Sequence, residues 1–232
     1  MMRTVAVIPL RGLTDGKSRL SAILPDRVRR ALIGALLERV VRAVQASGCI
    51  ATTVVISPDP DILHLAGTLQ VVPLQQTNTG LNAALWQATN WARDQRYDAL
   101  FAIHADLPLI TAQSIRDITQ RATADVVVIS DRHAHGTNAL FMRPVGATTF
   151  HFGEQSFTRH LAASEARGLR TVPYQTAALS FDLDLPADVA MLAVFHPLAF
   201  FDLCCSVRRW LPRVPRAQPT APIAHPVGEG QQ

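Results

Sequence analysis

Two hydrophobic patterns alternate along the chain. Residues 4–8 (TVAVI) form a continuous, β-branched apolar run, as expected of a strand covered on both faces. From residue 27 to 46 the apolar positions fall at Val28, Leu32, Leu36 and Val40, with a second row at Ile33, Leu37, Val41 and Val44. Steps of three and four put both rows on one side of a helix. Residues 51–56 (ATTVVI) read as a second buried strand, closed by a turn at Ser57-Pro58-Asp59-Pro60. A short element is expected at 69–73, a helix at 81–93 and a strand at 98–103 (DALFAI). Thr111 is then expected to cap a helix running to about residue 122. Strands are expected at 126–129 and 139–142, and a helix at 157–166 with Ser156 near its start. A last helix at 185–193 has Asp184 as its expected N-cap. Strands alternating with helices predict an α/β fold, a Rossmann-like, mostly parallel sheet with helices on both faces. In such sheets ligands gather beyond the carboxyl ends of the strands, so the segments that follow strands are read first for chemistry.

Composition narrows the class. At 232 residues the chain suffices for one substantial domain with a real core, here residues 1–195, and a C-terminal extension, 196–232. Hydrophobic residues make up 48% and charged residues 17%, which excludes a disordered chain. Within the extension, residues 195–210 carry Phe195, Leu198, Phe201, Leu203 and Trp210, too apolar to leave in water. They should pack on the body or on a second copy of the chain, as in a homodimer. Five prolines between Pro212 and Pro226 predict a flexible, partly disordered tail. The 22 Lys and Arg against 18 Asp and Glu give a net charge of +4. Four of those arginines and two of the acids lie from Pro197 onward, which leaves the body near +2. That is no concentrated basic face, and nucleic acid is not an expected partner. The apolar run of the opening MMRTVAVIPL stops at Pro9, too short for a secretory core or a membrane span. Three cysteines match neither a disulfide framework nor a metal motif, so a reduced cytoplasmic setting is expected.

Six segments carry chemistry. After the first strand comes PLRGLTDGKSRL, with Arg11, Gly12, Lys17 and Arg19. Glycines admit a ligand close to the backbone and the cations neutralise phosphate. A solvated basic loop is the plain alternative, and the pattern is neither a Walker A motif nor G-x-G-x-x-G. After 98–103 comes HADLPL, whose Asp106 is placed to bind a hard cation such as Mg²⁺ or merely to start a turn. In FDLDLPADV, Asp182 and Asp184 point the same way on extended chain, unfavourable unless a cation or donor lies between them. Asp188 is read as solvent-facing. The glycine-bearing segments Gly136-Thr137-Asn138 and Phe152-Gly153-Glu154-Gln155-Ser156 offer N–H groups and hydroxyls for an anionic oxygen, and Gly80-Leu81-Asn82 starts a helix. No paired histidine motif is present; His104, His133 and His135 are read as structural or surface residues.

In this order, PLRGL-x₃-KSRL, GLNAAL, ADLPLI, GTNAL, FGEQSF-x-RH and FDLDLPADV resemble the guanylyltransferases that activate 2-phospholactate or phosphoenolpyruvate in coenzyme F-420 biosynthesis. The resemblance spans about residues 4–194. It implies the nucleotide-diphospho-sugar transferase fold, a parallel sheet with a small antiparallel excursion. It further implies GTP and a three-carbon phosphorylated acid as partners and Mg²⁺ as cofactor. Residue by residue it makes Lys17, Arg11 and Arg19 contacts for the nucleotide phosphates, and sets Gly12, Gly80, Leu81 and Asn82 against the nucleotide. Asp106 and one of Asp182 or Asp184 would bind magnesium, and Thr137, Gly153 and Ser156 would hold the acceptor. Arg11 stands where the family pattern has lysine, which keeps the charge and changes its geometry. A sibling enzyme using a sugar phosphate or molybdopterin, or a silent nucleotide-binding module, are the rival readings.

Overall fold

The computed structural model describes residues 2–13, 17–120 and 123–211. The tail expectation for 212–232 therefore lies outside the described residues. In chain order the elements are β1 (Thr4–Pro9), a 3-10 turn (Ser18–Leu20), α1 (Asp26–Ser47), β2 (Thr52–Ser57), α2 (Pro60–Thr68) and β3 (Val72–Gln75). Next come α3 (Leu81–Asp94), β4 (Ala99–Ile103), α4 (Ala112–Thr119), β5 (Val126–Ser130) and β6 (Thr137–Met142). The chain then runs through α5 (Ser156–Glu165), β7 (Thr171–Tyr174), α6 (Ala177–Ser180), α7 (Pro186–Phe195) and α8 (Pro197–Trp210). The sheet order is β3-β2-β1-β4-β6-β5-β7. All neighbours pair in parallel except at β6, which is antiparallel to both β4 and β5.

Strand periodicity explains the layers. Ala6, Ile8, Phe101 and Ile103 face one side with Leu37 and Val41 of α1, while Val5, Val7 and Leu100 face the other with Leu85 and Ala88 of α3. Both faces of the central strands are covered, as the unbroken apolar runs require.

Several elements depart from the sequence expectation. Pro58-Asp59-Pro60 opens a helix: Asp59 accepts from Asp61 N at 2.9 Å as N-cap and Pro60 takes the first turn. The element expected at 69–73 is β3, three residues later. Thr111 does cap α4, in a reciprocal pair with Ser114. Asp184 does not cap α7. Asp188, four residues on, turns back and accepts from Asp184 N at 2.8 Å and Leu185 N at 2.6 Å, and it is buried rather than solvent-facing.

The extension divides by face. Helix α8 lies on α1, with Leu203 buried and the Trp210 indole donating to Glu38 at 3.0 Å. Phe195, Leu198 and Phe201 do not pack on the body and stay 69%, 86% and 69% exposed. Gly34 is what lets Trp210 down onto α1, since a Cβ there would sit 2.8 Å from the indole ring. Gly→Ala inside a helix normally stabilises by about 0.5–1 kcal/mol. Here the rigid ring reverses the sign, and Gly34→Ala is expected to lower the melting temperature by several degrees. A gain in stability would show that Trp210 does not rest there.

Candidate active site

The strand order turns back between β1 and β4, which run in parallel and end side by side. The loops that leave them therefore share one crevice. One brings cations, the other a carboxylate. Lys17 sits in the left-handed region at φ 60, its side chain only 8% exposed, with Nζ 2.5 Å from Asp106 Oδ2 and 2.5 Å from Asp184 Oδ1. Asp184 arrives because Leu183 N donates to Asp106 O at 3.2 Å while the Leu183 side chain enters the core. Alternation along that extended segment then turns Asp182 and Asp184 to the same side. The segment is anchored from below by Asp188, which pairs with Arg132, and Arg132 also covers the Phe181 ring at 5.1 Å.

The electrostatics of this cluster pull against each other. Burial opposes the Lys17 charge, but Asp106 and then Asp184 outweigh it and hold the ammonium above its ordinary value. Burial likewise opposes ionisation of Asp106, yet Lys17 and His104 bring its carboxyl below the usual range. Asp182 goes the other way: burial, then the neighbouring Asp106 and Asp184, push it up. A raised carboxyl means that the folded state binds its proton more tightly than the unfolded chain. Asp182 thus costs stability increasingly as pH rises through its folded value. Asp182→Asn is expected to raise the melting temperature of the metal-free protein at neutral pH, by about 2–4 °C per 1 kcal/mol relieved. The gain should vanish in acid, which a series of melts across pH reads directly. A loss at neutral pH would contradict the repulsion.

Asp106 Oδ1 is buried without a hydrogen-bond partner among the described residues. Three carboxylates face one ammonium here, so the cluster has room for divalent positive charge. No three His, Cys, Asp or Glu groups among the described residues converge into a cage of their own. A hard cation held here would draw its remaining ligands from substrate oxygens and water, as Mg²⁺ commonly does.

Beside the cluster lies a cleft of about 520 Å³, lined among others by Pro9, Arg11, Asn78, Gly80, Leu81 and His104. Arg11, Gly80 and Leu81, expected against the nucleotide, all line this cleft. Gly80, at φ 96, opens α3 in a backbone conformation that favours glycine. Gly12 serves the loop itself: a Cβ would sit 2.9 Å from Asp59 Oδ2, the same oxygen that accepts from Leu13 N at 3.0 Å. Arg19 is exposed on the 3-10 turn. Asn82 is spent on the protein, donating to Phe152 O at 3.1 Å and accepting from Phe152 N at 2.9 Å.

That clamp draws the 150s loop to the crevice. Phe152 packs against His104 and edge-on against His160, with ring centroids 5.1 and 4.8 Å away. Gly153, at φ 125, and Ser156 at the start of α5 follow directly. Thr137 reaches the same place from β6, whose antiparallel pairing puts its first residues beside the end of β4; His104 N donates to Asn138 O at 3.0 Å. Thr137 from β6 and Phe152, which leads into the Gly153–Ser156 turn, thus both meet His160, and Phe152 also packs on His104. The sequence reading took His104 as a structural or surface residue and Asp59 as part of a turn, and gave Asn78 and His160 no role of their own. Only Asp59 carried a readable signal, an N-cap residue before proline.

Comparisons with known proteins bear on what this arrangement does. A family model described as "Guanylyl transferase CofC like" matches residues 4–196. The chain is 37% identical to the phosphoenolpyruvate guanylyltransferase of Sphaerobacter thermophilus over 85% of this chain and 96% of that one. It is 39% identical to the phosphoenolpyruvate guanylyltransferase of Rubrobacter xylanophilus over 82% and 94%. With the 2-phospho-L-lactate guanylyltransferase of Methanothermobacter thermautotrophicus it shares 33% over 81% and 83%. Among solved structures, a nucleotide-diphospho-sugar transferase of Desulfovibrio desulfuricans G20, so described without proof of its activity, superposes with a TM-score of 0.70 at 12% identity, over 90% of this chain and 99% of that one. A 4-diphosphocytidyl-2C-methyl-D-erythritol synthase gives 0.58 at 14%, over 84% and 98%. These structural likenesses show the fold, which is that of the nucleotide-diphospho-sugar transferases.

Proposed function

We propose, because the chain belongs to the CofC-like guanylyl transferase family, that it transfers GMP from GTP to phosphoenolpyruvate or 2-phospho-L-lactate and releases pyrophosphate, in coenzyme F-420 biosynthesis. The observation that carries the reading is the Lys17–Asp106–Asp184 cluster beside a cleft at the strand ends. A phosphate monoester has its second pKa near 6, so at pH 7 the acceptor is already a nucleophile and needs no strong general base. An acceptor phosphate oxygen forms a bond to the α-phosphorus of GTP, and the bond from that phosphorus to the β-phosphate oxygen breaks. The electron pair leaves with pyrophosphate.

The protein's task in this reaction is alignment and charge compensation. Gly80 and Leu81 receive the nucleotide in the cleft, while Arg11, Arg19 and Lys17 meet its phosphates. Thr137, Gly153 and Ser156 hold the acceptor, the meeting of Thr137 and Phe152 at His160 being the support for that role. Asp106 with one of Asp182 or Asp184 would hold magnesium, and the unpartnered Asp106 oxygen fits that role. Magnesium, when bound, supplies positive charge beside the phosphates.

A cytoplasmic setting goes with this reading; no helix among the described residues is long and apolar enough to cross a membrane. A homodimer covering exposed Phe195, Leu198 and Phe201 completes it, and sedimentation at rising concentration tests for it.

The acceptor assignment is tested by pyrophosphate release from GTP and Mg²⁺ with phosphoenolpyruvate, 2-phospho-L-lactate, 3-phosphoglycerate or a sugar 1-phosphate. Release with at least one of the first two is the expected result. Release with the sugar phosphate and none of the acids would move the protein to the sibling class.

A further inference from the structure

Thr137 Oγ1 and His160 Nδ1 lie 3.0 Å apart, both buried. Which of them gives the proton is decided on the far side of the ring. There the backbone N–H of His151 points at His160 Nε2 from 2.9 Å. An amide N–H only donates, so Nε2 must present its lone pair. Burial, followed by the charges of His151, Arg159 and His104, pushes the ring down to about 3, although a backbone hydrogen bond with Ser156 pulls it up. The ring is therefore neutral at pH 7, and its one proton is on Nδ1. That proton leaves Thr137 Oγ1 as the acceptor of this contact. The hydroxyl's own proton must go elsewhere, and no other hydrogen-bond partner of the hydroxyl occurs among the described residues.

We propose that His160 is a positioning residue: it commits the Thr137 hydroxyl to donate into the crevice, so that the site selects an acceptor-only oxygen, a carboxylate or phosphate, at that point. The inference rests on the reading of Thr137, Gly153 and Ser156 as the acceptor site. Thr137 opens β6 one residue before Asn138, whose carbonyl accepts from His104 N at 3.0 Å at the mouth of the crevice. Phe152, edge-on against His160, ties the ring to the Gly153–Ser156 turn.

Two measurements test it. The first needs no substrate: a long-range ¹H–¹⁵N NMR spectrum of the purified protein, with His160→Gln used for assignment, should show His160 as the Nδ1–H tautomer. The Nε2–H tautomer would overturn the proposal. The second is kinetic, with phosphoenolpyruvate and 2-phospho-L-lactate as acceptors. His160→Gln reaches the His151 N–H but loses the Nδ1 donor, and should raise the acceptor KM about tenfold, the scale of one hydrogen bond to a charged group, with the GTP KM unchanged. His160→Asn, which restores a donor near Nδ1, should recover most of that loss. In a Thr137→Val background His160→Gln should add nothing to the acceptor KM, because His160 acts only through that hydroxyl. The same tenfold rise in that background, or an equal rise in the GTP KM, would reduce His160 to a packing residue. No turnover by the unmodified protein with either acid would instead refute the acceptor reading, while the tautomer would still decide what His160 does to Thr137.

Discussion

Asp106→Asn is expected to lower turnover by at least about a hundredfold at saturating magnesium, the cost of losing one strong electrostatic contact in a transition state. Asp106 is the carboxylate on which the site is built. One oxygen holds Lys17 at 2.5 Å, the other is buried and unpartnered, and its backbone carbonyl carries the segment bearing Asp182 and Asp184. The substitution keeps the shape and the backbone contact, so the fold should survive. Lost attraction to Lys17 and relieved repulsion with Asp182 oppose each other in stability, and the melt should move by only a few degrees. Asp184→Asn belongs with it. As a helix cap Asp184 would tolerate Asn at little cost, but the structure pairs it with Lys17 and gives the capping to Asp188. A severe loss of turnover is therefore expected at Asp184 as well. Near-normal turnover of Asp106→Asn across a magnesium titration would remove Asp106 from the chemistry.

Lys17→Met should be more damaging still, by about a thousandfold in turnover, at the upper end for one preorganised contact. It should also destabilise. Three carboxylates lose their ammonium, and breaking the pairs should cost about 2–3 kcal/mol, low for a buried pair because Asp184 is 41% exposed. That predicts a fall in melting temperature of about 4–12 °C at pH 7. Lys17 holds the Asp106 carboxyl below its unfolded value, a contribution to stability present above that value and lost as pH falls through the folded one. The gap between Lys17→Met and the unmodified protein should thus be widest near neutrality and close in acid. Lys17→Arg keeps the charge, but a planar fork cannot place one point charge between two carboxylates, and it should restore stability better than turnover. A constant gap at all pH values would show that the loss comes from packing.

What the sequence disclosed follows from which interactions are local. Unbroken runs such as 4–8 and 98–103 disclosed the central strands, and the steps of three and four at 27–46 disclosed α1, because burial on both faces or on one stripe leaves a periodic trace. Their carboxyl ends then located the crevice, and with it Arg11, Lys17 and Asp106. Helix α2 was not read: Asp59-Pro60 is an N-cap signal, but two prolines around one aspartate read equally well as the turn expected there. The side-chain pairings were not legible. Asp188 reads as a surface acid on a helix until Arg132, 56 residues earlier, is brought beneath it, and Asp184 reads as a cap until Lys17 arrives from across the sheet. His160 has a partner on each side, at Thr137 and His151, and nothing in its neighbourhood in sequence marks either. Long-range polar contacts carry no period, so they emerge only with the fold.

In the proposed reaction GMP is joined to a phosphorylated acid. Phosphorus-31 NMR of the protein with GTP, Mg²⁺ and phosphoenolpyruvate or 2-phospho-L-lactate reads the bond itself. The expected spectrum gains the two coupled resonances of a new unsymmetrical diphosphate, one pyrophosphate appearing for each acid consumed. GTP broken down to GDP and phosphate, or to GMP and pyrophosphate, with both acids left intact would contradict it.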